Sequence, residues 1–238
     1  MLQSRKIFWW VTFFSIAMGF LETAVVVYLR KLYYPHGFNF PLAPVHDDIA
    51  IVELWRELAT LIMLISIGVL AGRNRAEKFA YFLYSFAIWD LFYYVFLKVF
   101  LDWPESLMTW DILFLLPVPW VGPVITPCII AITMIFFCLT IIRFTNLNVP
   151  VSMLAKERWL LWLGALVVIV SFTMDYVDKK GATLWRNINS KDSLFTNLVD
   201  YVPSNFNWAV FSIGEAMILA AYVMYRMRLV KMTPIRVI

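Results

Sequence analysis

The residues best suited to chemistry stand in Glu53-Leu54-Trp55-Arg56-Glu57, where two carboxylates and a guanidinium interrupt the otherwise apolar stretch Ile49 to Gly72. Glu53 and Glu57 are four apart and share a helix face, where like charges repel, and Arg56 is placed to bridge to one of them. Glu22, Asp90 and Glu215 interrupt other apolar stretches, and Tyr93 and Tyr94 follow Asp90 at helical spacing. Tyr93, Tyr94, Asp111 and Asp175 are secondary candidates for the same chemistry.

A charged group near the centre of a bilayer costs at least ~2.5 to 3.5 kcal/mol on insertion scales, so several of them should face inward and partner one another. Glu22, Glu53, Glu57, Asp90 and Glu215 are five acids against the single arginine Arg56. Some must therefore carry a proton, reach water or bind a cation. The leading expectation is an outward-facing carboxylate and arginine site that binds or transports a proton, a cation or a small cationic solute. The alternative is an intramembrane enzyme on a lipid or polyprenyl-linked substrate, with paired carboxylates as acid and base or as holders of a divalent cation, and Arg56 on a phosphate. A third reading is a non-catalytic subunit of a membrane complex, with the acids as interhelical glue.

The elements that must position these residues follow from composition. With 62% hydrophobic and 15% charged residues over 238 positions and a mean hydropathy of +0.77, a soluble domain could not hide its apolar surface. Charge-poor stretches of about 20 residues recur, each long enough to cross roughly 30 Å of hydrocarbon. The reading is an all-α integral membrane protein, one polytopic domain over 1–238, with spans near 7–29, 49–72, 76–101, 122–143, 158–175 and 206–225. The first is too long for a signal-peptide core and carries Glu22, so it is retained. A prokaryotic cytoplasmic membrane is the expected location.

Between the spans, Arg30 to Asp48 holds Pro35, Gly37, Pro41 and Pro44 and reads as a loop. Asp102-Trp103-Pro104-Glu105 reads as the capped start of a short helix, 103–116, interfacial or re-entrant, with Trp103 and Trp110 at the membrane surface. Pro117, Pro119, Pro123 and Pro127 delay the fourth span. Residues 176–205 form the longest polar loop. Gly68-x-x-x-Gly72 permits close helix approach.

Arg5, Lys6, Arg73, Arg75, Lys78, Arg143, Lys156, Arg158, Arg226, Arg228, Lys231 and Arg236 gather at one set of span ends, opposed only by Glu77 and Glu157. The other ends mix both signs. The positive-inside rule makes both termini cytoplasmic and puts Glu22, Glu53, Arg56, Glu57, Asp90 and Glu215 in the outer half of the membrane, with Asp175 at its rim.

Other classes are disfavoured. The net charge of +4 sits at span ends, with no basic domain for nucleic acid. P-loop, dinucleotide, HExxH and GxSxG patterns are missing, and no inverted repeat relates the first three spans to the last three. His36 and His46 are loop residues and a poor metal signature. Cys128 and Cys138 lie about 15 Å apart along one helix and cannot pair. The expected partners are the lipid bilayer and a small solute or ion; no protein partner is identified, and no cofactor is expected beyond a bound divalent cation.

Overall fold

The computed structural model describes residues 2–44, 46–187 and 201–233. Among the described residues six helices carry the fold: α1 (Leu2–Tyr33), α2 (Asp47–Ala71), α3 (Arg75–Leu101), α4 (Ile125–Asn146), α5 (Ala155–Asn187) and α6 (Trp208–Lys231). Each holds a stretch long and apolar enough to cross a membrane, and many large apolar side chains on their outer faces, such as Trp10, Leu70 and Trp159, are exposed. Such an outside is stable only against hydrocarbon. The chain is an integral membrane protein.

Caps set several boundaries. Asn74 opens α3 by accepting from the Glu77 backbone N–H at 3.0 Å, and Asn207 opens α6 by accepting from Val210 N–H at 3.1 Å. α3 is the spine, packed on α1, α2 and α4, while α5 packs chiefly on α6. The two groups meet in a core that includes Tyr84, Phe137, Phe144, Phe172 and Tyr225.

Glycine permits the tightest contacts. A Cβ on Gly68 would stand 2.8 Å from the Lys78 carbonyl oxygen of α3, and one on Gly72 would stand 2.3 Å from Lys78 N, so the Gly68-x-x-x-Gly72 motif does bring α2 onto α3. Gly164 and Gly214 face each other where α5 meets α6: a Cβ on Gly164 would lie 2.9 Å from the Gly214 carbonyl oxygen.

Three expectations need correction. Residues 103–116 are not a helix. They hold a turn and the strand β1 (Trp110–Phe114), paired antiparallel with β2 (Trp120–Pro123), with Asp111 opposite Gly122. Aromatic and branched residues suit a strand, and the Pro117 and Pro119 connection returns the chain at once, whereas an isolated helix this short gains too little to offset nucleation. Asp102, read as the start of that helix, instead ends α3 in the left-handed conformation at φ 50°.

The loop expected at Arg30 begins later, because α1 continues to Tyr33. The loop expected over 176–205 begins later still, because α5 runs to Asn187. Nothing between Asp175 and Gly181 breaks a helix, and Lys179 supports the turn by pairing with Asp175 at 3.1 Å. The remainder of that loop, 188–200, lies outside the described residues, as does Arg236.

The glycine crossing yields a stability test. Gly164→Val should lower the stability of the purified protein in detergent by about 1–3 kcal/mol, the usual cost of overpacking, read as a drop in melting temperature; an unchanged value would show that α5 and α6 can separate freely.

Candidate functional site

Helical spacing aligns polar side chains on three helices. On α2, Glu53, Arg56, Glu57 and Thr60 share one face; on α1, Glu22, Val26, Arg30 and Tyr33 do so; on α3, Trp89, Asp90, Tyr93 and Tyr94 do so. All of these line a cavity of about 180 Å³, closed on another side by Asp111 to Leu115 of the hairpin. It occupies the half of the bundle formed by the C-terminal parts of α1 and α3 and the N-terminal part of α2.

Arg56 is the pin of this wall. Its Nε donates to Glu53 Oε2 at 2.7 Å, and its Nη1 donates to Glu22 Oε2 on α1. Two carboxylates on different helices thus share one guanidinium, a charge-assisted arrangement of the strong kind. Glu57 turns the other way. Both its oxygens accept from the backbone N–H of Leu115, at 3.1 and 3.0 Å, so this carboxylate ties α2 to the chain just after β1.

A second arginine acts on the hairpin. Arg30 Nη2 donates to Asp111 Oδ1 at 3.1 Å, and Tyr94 Oη donates to Asp111 Oδ2 at 3.3 Å. The guanidinium also lies 3.7 Å from the Trp103 ring and 4.2 Å from the Phe38 ring, both cation–π contacts. Only 2% of Asp111 is exposed. Burial pushes its carboxyl up to about 6, while Arg30 and the Tyr94 hydroxyl act in the opposite sense.

Several polar atoms on this cavity have no partner among the described residues. The Arg30 Nη1 and Trp89 Nε1 donors are buried without an acceptor. Asp90 lines the cavity, and neither of its carboxylate oxygens accepts a hydrogen bond. No three His, Cys, Asp or Glu side chains among the described residues gather as ligands for one metal ion. Glu22 and Glu53 share Arg56, while Glu57, Asp90 and Asp111 are spread along the wall in separate surroundings.

Of the residues singled out in the sequence, Glu22, Glu53, Arg56, Glu57, Asp90, Tyr93, Tyr94 and Asp111 all line this cavity. Glu215 stands apart. It faces α4, where Oε1 accepts from Thr133 Oγ1 at 2.6 Å and Oε2 is buried without a partner among the described residues. Similar depth in the membrane therefore did not mean a common site, because α6 packs on the far side of the bundle from α2.

Asp175 is also elsewhere. It accepts from Tyr201 Oη at 2.6 Å and from Lys179 Nζ at 3.1 Å, fastening the chain before α6 to α5. Sequence reasoning missed Arg30, Thr60 and Trp89. Arg30 carried a usable signal, since Glu22, Val26, Arg30 and Tyr33 continue one helical stripe past the expected end of the span.

No protein-family model, curated protein or solved structure matches this chain.

The Asp111 environment yields a pH test. Between about pH 4 and 6 the folded protein keeps a proton on Asp111 that the unfolded chain has released, so this group's contribution to stability declines as pH rises through that window. Asp111→Asn should flatten that part of the stability profile, measured by thermal unfolding at stepped pH. An identical slope in the variant would assign the effect to another group.

Proposed function

We propose that this protein binds, and by moving its hairpin transports, a proton or a small cation at the cavity between α1, α2 and α3. The observation that carries the reading is Asp90, a carboxylate facing the cavity with no hydrogen-bond donor among the described residues. Glu22 and Glu53 are answered by Arg56, Asp111 by Arg30, and Glu57 by a backbone N–H. That makes five acids against two arginines on one wall. The acids in surplus carry a proton or meet a positive species that enters the cavity, and Asp90 is the one left open to it.

Size supports a small ligand. A cavity of about 180 Å³ is below the roughly 300–1,000 Å³ of sites for drug-sized molecules. The enzyme reading is weaker, because Arg56, its natural grip for a phosphate, is already spent on two carboxylates. The basic span ends favour a cytoplasmic location for both termini, which turns the cavity outward.

Two experiments test the reading. In proteoliposomes holding a cation or pH gradient, Asp90→Asn should slow dissipation by about tenfold or more, the scale of one lost charge interaction of ~1.4 kcal/mol, while Glu215→Gln, remote from the cavity, should retain the rate. No protein-dependent flux or cation binding in the wild type, or an unaffected Asp90→Asn, would defeat it. For orientation, in a background lacking Cys128 and Cys138, an impermeant maleimide should label His46→Cys from outside intact cells and Asn74→Cys only after the membrane is opened; the reverse pattern would turn the cavity inward.

A further inference from the structure

A second cavity, of about 400 Å³, lies at the opposite end of the bundle between α4 and α6. These two helices touch only lightly. Arg143 and Arg226 line it, one from each helix, together with apolar side chains and a Thr140–Tyr222 hydroxyl pair 3.1 Å apart. A pair of hydroxyls uses one hydrogen on itself and leaves the other to donate.

The charges here are unbalanced in a specific way. The two acids of this end, Glu77 and Glu157, are both taken. Arg73 holds Glu77 through contacts from 2.5 to 3.2 Å, and Arg228 grips Glu157 through Nε and Nη2, each at 2.8 Å. Arg143 and Arg226 are exposed and form no ion pair among the described residues. Two guanidiniums on facing helices are thus left for an anion from outside the chain.

The apolar lining, Phe136, Leu139 and Phe144 of α4 and Leu147 just after it with Val230 of α6, states what carries that anion, and exposed apolar side chains continue it along both helices. On α4, Ile132, Phe136, Leu139 and Arg143 recur at helical spacing on one face, and the three apolar members are 48%, 52% and 43% exposed. On α6, Leu219 and Arg226 are two turns apart on one face. From Arg143 back to Ile132 the helix rises about 16 Å, roughly half the hydrocarbon thickness. A basic pair in an apolar cleft, continued along α4 by an exposed apolar stripe about one leaflet deep, has the charge pattern of an acidic phospholipid turned inside out.

We propose that the cleft between α4 and α6 is a binding site for an acidic phospholipid, its phosphate between Arg143 and Arg226 and its acyl chains along the apolar faces toward Ile132 and Leu219. The Thr140 and Tyr222 pair donates to an ester or phosphate oxygen below the arginines. A soluble phosphate lacks the chains and gains only the rim of the site.

Native mass spectrometry of the full-length protein in mild detergent tests this with phosphatidylglycerol and phosphatidylcholine as probes. The wild type should retain phosphatidylglycerol in preference to phosphatidylcholine, and an excess of inorganic phosphate should not displace it. Arg143→Gln/Arg226→Gln should weaken retention about tenfold or more, given ~1 kcal/mol for each basic residue near an anionic lipid surface. Arg75→Gln/Arg158→Gln, an equal loss of charge at the same end, should leave it unchanged, and both variants should melt like the wild type in neutral lipid. Equal retention of the two lipids, equal loss in both variants, displacement by phosphate alone, or a lipid-free dimer filling the cleft would each overturn the proposal.

Discussion

One guanidinium, that of Arg56, holds two carboxylates from two helices in an apolar layer, and the arrangement around it follows from that. α1 and α2 make few direct contacts, each leaning instead on α3, so the Glu22–Arg56–Glu53 set, with Thr60 also bonded to Glu22, links them through polar groups. A buried charge stripped of its partner costs about 3–5 kcal/mol. With Glu22 and Glu53 both satisfied by Arg56, the other acids of the wall must find separate answers, and the hairpin supplies two of them.

That hairpin could not stand alone, since a two-stranded ribbon is marginal in water. It is held from below by the charges of the site, through Glu57 to Leu115 N–H and Arg30 to Asp111. It is held from the side by Trp120, stacked on Phe172 of α5 with centroids 6.2 Å apart. The carboxylates therefore do two things at once: they set the charge of the cavity and they fasten its cover. Under the proposed function, a cation drawing Glu57 or Asp111 toward itself would loosen the cover, so that occupancy and opening would be coupled through the same atoms.

Much of this was legible in the sequence, for identifiable reasons. Hydropathy finds spans because hydrocarbon forces every backbone group into internal hydrogen bonds, and intramembrane acids mark sites because they are costly, so Glu22, Glu53, Arg56, Glu57 and Asp90 could be named before any fold was known. What could not be read was lateral position. Depth follows from counting residues along a helix, but whether α6 lies beside α2 does not, and Glu215 fell on the wrong side for that reason. The hairpin was missed because Asp102-Trp103-Pro104 satisfies the local rules for a helix start, while Leu115 N–H bonded to Glu57 is a tertiary fact. Arg30 was lost to a span boundary drawn just before it at Leu29, although a guanidinium packed between Trp103 and Phe38 behaves as part of the span.

A purely structural role for these charges makes a definite demand: every member should be satisfied, since a half-satisfied network is worse than an apolar contact. Most members meet it. Glu22, Glu53 and Arg56 close on themselves, Arg30 pairs with Asp111 while its Nη1 has no acceptor among the described residues, and Glu57 is capped by a backbone donor. At the basic end, Arg73 with Glu77 and Arg228 with Glu157 meet it as well. Asp90 does not, although it stands on α3, the most heavily packed helix, with Tyr94 committed to Asp111 beside it. An aspartate serving only as glue would have been given the tyrosine. With the hydroxyl on Asp111 and the carboxylate facing the cavity, the proposed function divides the wall into a group that holds the hairpin and a group left to meet a ligand.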